Sequence, residues 1–342
     1  MRTISLLLIL MAIIVTSSTM AQEPATTAPA TQPTNAPTTA PALTQEQVVA
    51  EIEKLGGQIE REGGKPDSPV VGVRFDSMGS KGVTIPLLER LNGLSRLQSL
   101  DLSYSNVTDA GMDHLKGLKQ LQDLRLNDTN VSDAGLEYLR VLIQLQVLNL
   151  TNTKVTDAGM KHLKGLKELH FLFLDGTKVT DAGMEQLRGL NQLRGLGLDD
   201  TEVTTVGLAH LKGLNQLQAL CLQNTKTTDV GLVNLEQLHQ IQTLYLGGTK
   251  LTDAGVVHLK GLNQLLFLDL SGTKVTDTGV ENLNGLNKLH SLVISRTKIT
   301  DAGLVHLKGM IQLQTLDIRD TKVTDAGVRK LQDALPKCKI SR

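Results

Sequence analysis

Five histidines, His114, His162, His210, His258 and His306, recur every 48 residues, and a row of imidazoles is raw material for a zinc site. The spacing argues against one. Forty-eight residues are two units of a 24-residue period, so neighbours in the row stand about 10 Å apart at one strand spacing per unit. Zinc holds imidazole nitrogens at about 2 Å, so no two of these rings can share an ion. No metal site is expected, and the row reads as a trace of duplication in pairs. The two cysteines, Cys221 and Cys338, fall roughly 20 Å or more apart along such a stack, beyond the ~7 Å reach of a disulfide. Both are expected as free thiols, and no base near Cys221 is placed to activate it. The sequons at Asn106, Asn127, Asn130 and Asn149 are incidental to Thr-rich turns. The chain has no H-E-x-x-H, no G-x-S-x-G and no phosphate loop. Gly63-Gly64-Lys65 is a turn. Without a constellation to assign, no catalytic residue and no cofactor are expected, and the protein is not read as an enzyme.

Binding chemistry is better represented. The chain has four Phe and three Tyr, and Phe171, Phe173, Tyr245 and Phe267 all fall at two outward-facing places of the repeating unit. Between them, at the same places, lie Gly195, Gly197, Ala219 and Cys221. Exposed aromatics with small neighbours are the chemistry of an interface hot spot. The expected surface is a groove across the fourth to eighth repeats, with a low floor between aromatic walls and Arg194, Asp199 and Asp269 at its rim.

The elements that must position these residues follow from one sentence written ten times. Its first apolar residue recurs at Leu97, Leu121, Leu145, Leu169, Leu193, Leu217, Ile241, Leu265, Leu289 and Leu313, without insertion or deletion. A fixed period of 24 with L-x-x-L-x-L is the signature of a leucine-rich-repeat solenoid, whose units bury apolar faces only by stacking. Positions 4 and 6 alternate with polar residues, giving a short strand with one buried face. Position 9 is Thr in nine copies and Ser105 in the other, and its hydroxyl can satisfy backbone groups at the turn. Thr-Asp-Ala-Gly then starts a helix, with Thr as N-cap and Asp in the first turn. Apolar residues at positions 16, 19 and 22 mark one stripe of a helix of roughly eight residues, closed by Gly at position 21. Gly at position 15 in all ten copies points to close backbone approach or a special dihedral. The absence of proline between Pro86 and Pro336 fits an unbroken ladder of central strands. The expected fold is an α/β leucine-rich-repeat solenoid with a parallel sheet on the concave face and short helices on the convex face.

Flanking segments complete the organisation. Residues 1–21 read as a signal peptide, with Arg2, the apolar run Ile4–Val15 and small Ala21 at a plausible cleavage point. The run is short for a membrane span, and no cysteine follows it for a lipid anchor. Residues 22–43 form an Ala/Thr/Pro-rich linker with five of the nine prolines, a composition that cannot bury a core. Residues 44–96 are expected as an N-terminal cap: a helix over Val48, Val49, Ile52 and Leu55, then strands at 58–62 and 70–75 as an irregular first repeat. The ten repeats run from 97 to 336, and residues 337–342 add a final strand. The 35 basic and 35 acidic residues give a net charge of zero, which argues against nucleic acid as a partner. The basic rows at positions 10 and 20 run beside the Asp row at position 13 as solvated, mutually compensating faces.

The unit L-x-x-L-x-L-x-x-T-x-V-T-D-A-G-L-x-x-L resembles that of bacterial exported leucine-rich-repeat proteins. It is also similar to the helix-containing repeats of F-box leucine-rich-repeat proteins, though no F-box-like segment precedes it. The resemblance covers about residues 68–340, and it implies protein–protein interaction through the concave sheet. The sequence therefore reads as an extracytoplasmic, monomeric binding module with a protein partner and no membrane span once processed. A passive scaffold element of the cell envelope, and a small-molecule or glycan sensor using the same groove, remain alternatives.

Overall fold

A computed structural model describes residues 44–75 and 82–342. The expected signal peptide and linker lie outside the described residues. The described chain builds one 13-stranded sheet in strict sequence order. Strand β1 (Gly57–Arg61) pairs antiparallel with β2 (Val70–Phe75). Ten three-residue strands follow in parallel, from β3 (Ser99–Asp101) to β12 (Thr315–Asp317), and β13 (Lys339–Ser341) closes the far edge. From β3 onward the register is constant, position 4 of each repeat facing position 4 of the next, as in Leu196↔Leu220↔Leu244. The one shift lies in β1, between Glu60 and Arg61. The irregular first repeat is in step too, with Val73 opposite Leu100. A period of 24 without insertions leaves the sheet no other register, because a slip of one residue turns the leucines out to solvent.

The core is a continuous leucine column. In the second repeat Leu121, Leu124, Leu126, Val131, Leu136, Leu139 and Leu142 are all fully buried. The same seven places recur down the stack, and in the sixth repeat the Val place holds Thr227. Its buried hydroxyl is satisfied by Thr225 Oγ1 at 2.9 Å, so the polar atom is not left unpaired. The N-terminal end is closed by the helix Gln45–Lys54, which buries Val48, Val49 and Ile52. The last helix, Asp325–Ala334, buries Leu331 at the other end.

The connecting helical segments have about the expected length, but in most repeats only their first turn is α. Most are single α turns of four residues, such as Asp157–Met160, which continue as a 3₁₀ turn, Lys161–Leu163. The stripe itself permits this. Apolar residues at positions 16, 19 and 22 recur every three residues, a spacing that suits the 3.0-residue turn of a 3₁₀ helix, although in the ninth repeat the same spacing is carried by the α-helix Asp301–Leu307. The fifth repeat, where Thr205-Val206 replaces Asp-Ala, has only the 3₁₀ turn Gly207–Leu211.

Three ladders besides the strands tie each repeat to the next. The position-8 residue adopts positive φ in all ten copies, from Tyr104 (61°) to Asp320 (56°). This turns its N–H onto the position-7 carbonyl of the following repeat, as in Asn152 to Asp175 at 2.8 Å. The position-10 N–H reaches the position-11 carbonyl of the preceding repeat, as in Lys178 to Val155 at 3.0 Å. The third ladder is made by the Asp row. Asp157 accepts Thr180 N–H at 2.7 Å and Thr180 Oγ1–H at 2.6 Å, and the same clamp links Asp109 to Ser132 and Asp277 to Thr300. These aspartates are inter-repeat clamps rather than counter-ions for the lysine rows. The position-9 hydroxyls work within their own repeat, each donating to the position-6 carbonyl, as Thr177 does to Leu174 at 2.6 Å.

Candidate functional site

The two outward rows of the sheet set the expected groove in register. Phe171, Gly195, Ala219, Thr243 and Phe267 stand side by side on successive strands, and so do Phe173, Gly197, Cys221, Tyr245 and Asp269. The structure therefore brings all seven expected residues into one strip. Their environment differs from the expectation. Phe171 and Phe173 are each 5% exposed and Tyr245 is 9% exposed, so these rings are buried rather than standing clear. Phe267 alone among the aromatics of the strip is partly exposed.

Two contacts give the physical reason. The Tyr245 and Phe267 rings sit with centroids 4.5 Å apart at an interplanar angle of 35°, a separation at which aromatic pairs cover one another. At Gly197 the expected gap is filled: the Asp175 carboxylate lies 2.5 Å from where a Cβ would stand. The strip is a packed plate rather than a low floor between walls. It is apolar except for the carboxylates of Asp175 and Asp269, which are buried in it, and of Asp199, so Asp199 and Asp269 do not stand at a rim as expected.

The acidic residues of the strip have backbone work. The position-7 N–H must find an acceptor. Where position 5 is Asp or Asn, it supplies one within the repeat: Asp101 takes Ser103 N–H at 3.0 Å, Asn149 takes Thr151 at 3.0 Å and Asp269 takes Ser271 at 2.7 Å. Gly197 and Cys221 cannot do this. There the preceding repeat's aspartate reaches across, Asp175 accepting from Asp199 N–H at 2.9 Å and Asp199 from Gln223 N–H at 2.6 Å. The acidic pair is the consequence of placing a glycine and a cysteine in the plate.

Burial, then the charge of Asp175, pushes the Asp199 carboxyl up to about 8, and burial pushes Asp175 up as well. The Cys221 thiol is driven upward by burial and by these two carboxylates, so it is a packed, inert group rather than a nucleophile. A carboxyl whose folded pKa is raised above the ordinary 3.8 binds more protons folded than unfolded. Its favourable contribution is full at low pH and is lost as pH rises from about 4 toward about 8. The slope cannot exceed ~1.4 kcal/mol per pH unit for one proton. Asp199→Asn keeps an oxygen for the Gln223 N–H and removes the titration. In urea unfolding at pH 5 and pH 8, wild type should lose more stability than the variant over that interval, and parallel losses would remove the buried pair as the cause.

The other candidates stay apart. Cys221 and Cys338 are both free and buried. Among the described residues, no three His, Cys, Asp or Glu side chains gather as metal ligands. Of the histidine row, His258 Nδ1 meets Glu236 Oε1 at 2.7 Å. His162 is held below its usual pKa by burial and then by Lys161. A cavity of about 100 Å³ at the N-terminal end of the sheet face is lined by Glu60, Arg74, Asp101 and Arg125. Its deepest charge is already paired, Arg125 holding Asp123 in a two-bond fork at 3.2 and 2.9 Å.

Comparison with known proteins agrees with this architecture. The family described as leucine-rich repeat region matches residues 81–252, and the leucine rich repeat family matches 263–283, 285–307 and 312–331. No curated protein matches the sequence. Among solved structures, the chain is similar to an internalin from Listeria monocytogenes, at 19% identity and a TM-score of 0.61 over 87% of this chain and 94% of that one. It is also similar to a leucine-rich-repeat protein of Leptospira interrogans, at 21% identity and a TM-score of 0.53 over 74% of each chain. At those identities the likeness is one of fold. A 24-residue period in unbroken register, a leucine column behind a single open sheet, and a family match over half the chain lead to one assignment: the protein belongs to the leucine-rich-repeat family.

Proposed function

We propose that this protein is a non-enzymatic binding module working outside the cytoplasm, and that it takes a protein partner on the middle of its sheet face. The observation that carries this reading is the change of chemistry along the two outward rows. They are charged at one end, with Asp101, Asp123 and Arg125, and again at the other, with Asp317. Between Phe171 and Phe267 they are mostly aromatic, small or without a side chain. An apolar centre inside a polar rim is how protein-binding surfaces are composed, and leucine-rich-repeat domains are in general protein-interaction modules. Because the plate is packed flat, the partner's contact begins at the partly exposed Phe267 and at the row beside it, His170, Arg194, Gln218 and Gln242, each partly exposed. A protruding loop or helix with an apolar tip suits such a surface. The export reading rests on Arg2, the run Ile4–Val15 and Ala21.

Capture from envelope extracts on immobilised chain tests the proposal. Phe267→Ala and Arg194→Ala should each weaken capture by about 2 kcal/mol where the residue is a hot spot, while Lys226→Ala should not. The chain recovered from its own cells should have an intact mass beginning at Gln22. Undiminished capture by the folded Phe267→Ala variant would place the partner elsewhere.

A further inference from the structure

We infer that copies of this chain stack head to tail, the C-terminal strand of one copy pairing with the N-terminal strand of the next. The partner is a second copy of the same protein, and the contact is separate from the plate of the sheet face. Among the described residues, strands β1 and β13 are the two open edges of the sheet, each hydrogen-bonded on one side only. An open edge is a template for another strand. Strand β1 runs antiparallel to the rest, so a following copy in the same orientation presents it antiparallel to β13.

Strand β1 is regular over Gln58, Ile59 and Glu60, ahead of the bulge between Glu60 and Arg61, and those three residues match β13. Ile340 is in step with Leu316 and so faces the core, while Lys339 and Ser341 are in step with Thr315 and Asp317 on the sheet face. On the other edge Ile59 is in step with Val73, and Gln58 and Glu60 with Arg74 and Gly72. Antiparallel pairing centred on Ile59 opposite Ile340 puts Glu60 opposite Lys339 and Gln58 opposite Ser341. Apolar meets apolar on the core side, and opposite charges meet on the sheet side. Both isoleucines pack against the core but are only partly buried, whereas the corresponding Leu316 and Val73 are buried. A junction covers what each end leaves open.

Charge is divided in the same sense. Residues 44–67 hold six acidic side chains (Glu46, Glu51, Glu53, Glu60, Glu62 and Asp67) against three basic ones, a net of −3. Of these, Glu51 and Glu62 are paired with Arg90 and Arg96, while Glu60 has no ion pair among the described residues. Residues 325–342 hold five basic side chains (Arg329, Lys330, Lys337, Lys339 and Arg342) against two acidic ones, a net of +3. The terminal helices follow suit, with Glu46 and Glu53 exposed on the first and Arg329 and Lys330 exposed on the last. Opposite ends attract and like ends repel, so the stack has one polarity. The two contacting surfaces differ, so the association does not close at a dimer and builds linear oligomers.

Sedimentation velocity on the full chain across a wide range of concentration reads the result directly. Mass should rise with concentration through dimer, trimer and beyond, and added salt should reduce it. Glu60→Lys alone and Lys339→Glu alone should each weaken association by about tenfold or more. Both residues are exposed, so circular dichroism melts should match wild type. The two reversals combined in one chain restore the pairing, and so does an equimolar mixture of the two single variants. A chain that stays monomeric throughout, a dimer that goes no further, or association indifferent to both reversals overturns the inference.

Discussion

Leu220→Ala should lower the unfolding free energy by about 2–5 kcal/mol, while Lys226→Ala, six residues away, should change it by no more than about 0.5–1 kcal/mol. Leu220 is fully buried and stands in register between Leu196 and Leu244. Truncating it opens a cavity that the leucines above and below cannot fill without breaking register. In a stack held by nearest-neighbour contacts, both junctions of the sixth repeat are weakened together. Lys226 lies on an exposed row and pairs with Glu202, both side chains 57% exposed, where an ion pair contributes little. Denaturant midpoints of the two variants, taken with their m-values, decide the matter. Equal shifts would mean that position 4 is not the core position.

The leucine column was legible because its period is fixed and each leucine serves only burial. The strands at 58–62 and 70–75 could be read for the same reason and differ from the structure by one residue at the first. The helical segments were legible in place and length but not in type, because an apolar spacing of three serves a 3₁₀ turn as well as an α-helix. The left-handed position 8 carried a signal that went unread: eight of its ten residues are Gly, Asn or Asp, the types that tolerate positive φ. Its variability hid it beside the invariant Gly at position 15, which proves to need close approach rather than a special dihedral. The glycines at position 21 adopt positive φ at Gly189, Gly213 and Gly285 and not at Gly117 or Gly165, so they are not uniform caps. For the aromatic strip the row was legible, but the burial was not. That depends on where Asp175 reaches and on how Tyr245 tilts against Phe267, and neither follows from spacing.

The sharpest contrast lies within the chain itself, between two glycines at the same place of the repeat. Gly183→Ala should cost about 2–4 kcal/mol, and Gly231→Ala should stay within about 1 kcal/mol of wild type. Neither glycine has positive φ, so backbone strain does not separate them. At Gly183 a Cβ would stand 2.5 Å from Asp157 Oδ1 and 2.9 Å from Val179 Cγ1. That oxygen also accepts Gly183 N–H at 2.9 Å and Thr180 N–H at 2.7 Å. The methyl group therefore overpacks the junction, at about 1–3 kcal/mol, and displaces a charged acceptor whose hydrogen bonds contribute about 1.5–3 kcal/mol each. At Gly231 the preceding repeat carries Thr205 in place of the aspartate. Its Oγ1 meets Thr228 Oγ1 at 2.9 Å and accepts Thr228 N–H at 3.2 Å. The nearest atom to the added Cβ is Leu208 Cδ1 at 3.0 Å, the end of a side chain that can give, with Thr205 Cα and Oγ1 at 3.3 Å, a milder crowding than the 2.5 Å at Gly183. There the gain in helix propensity of alanine over glycine, about 1 kcal/mol, offsets the crowding. If the clamp is the cause, Asp157→Thr combined with Gly183→Ala should cost less than the sum of the two single changes by at least about 1 kcal/mol. Additive costs, or equal losses at Gly183 and Gly231, would show that the invariant glycine serves something other than the aspartate behind it.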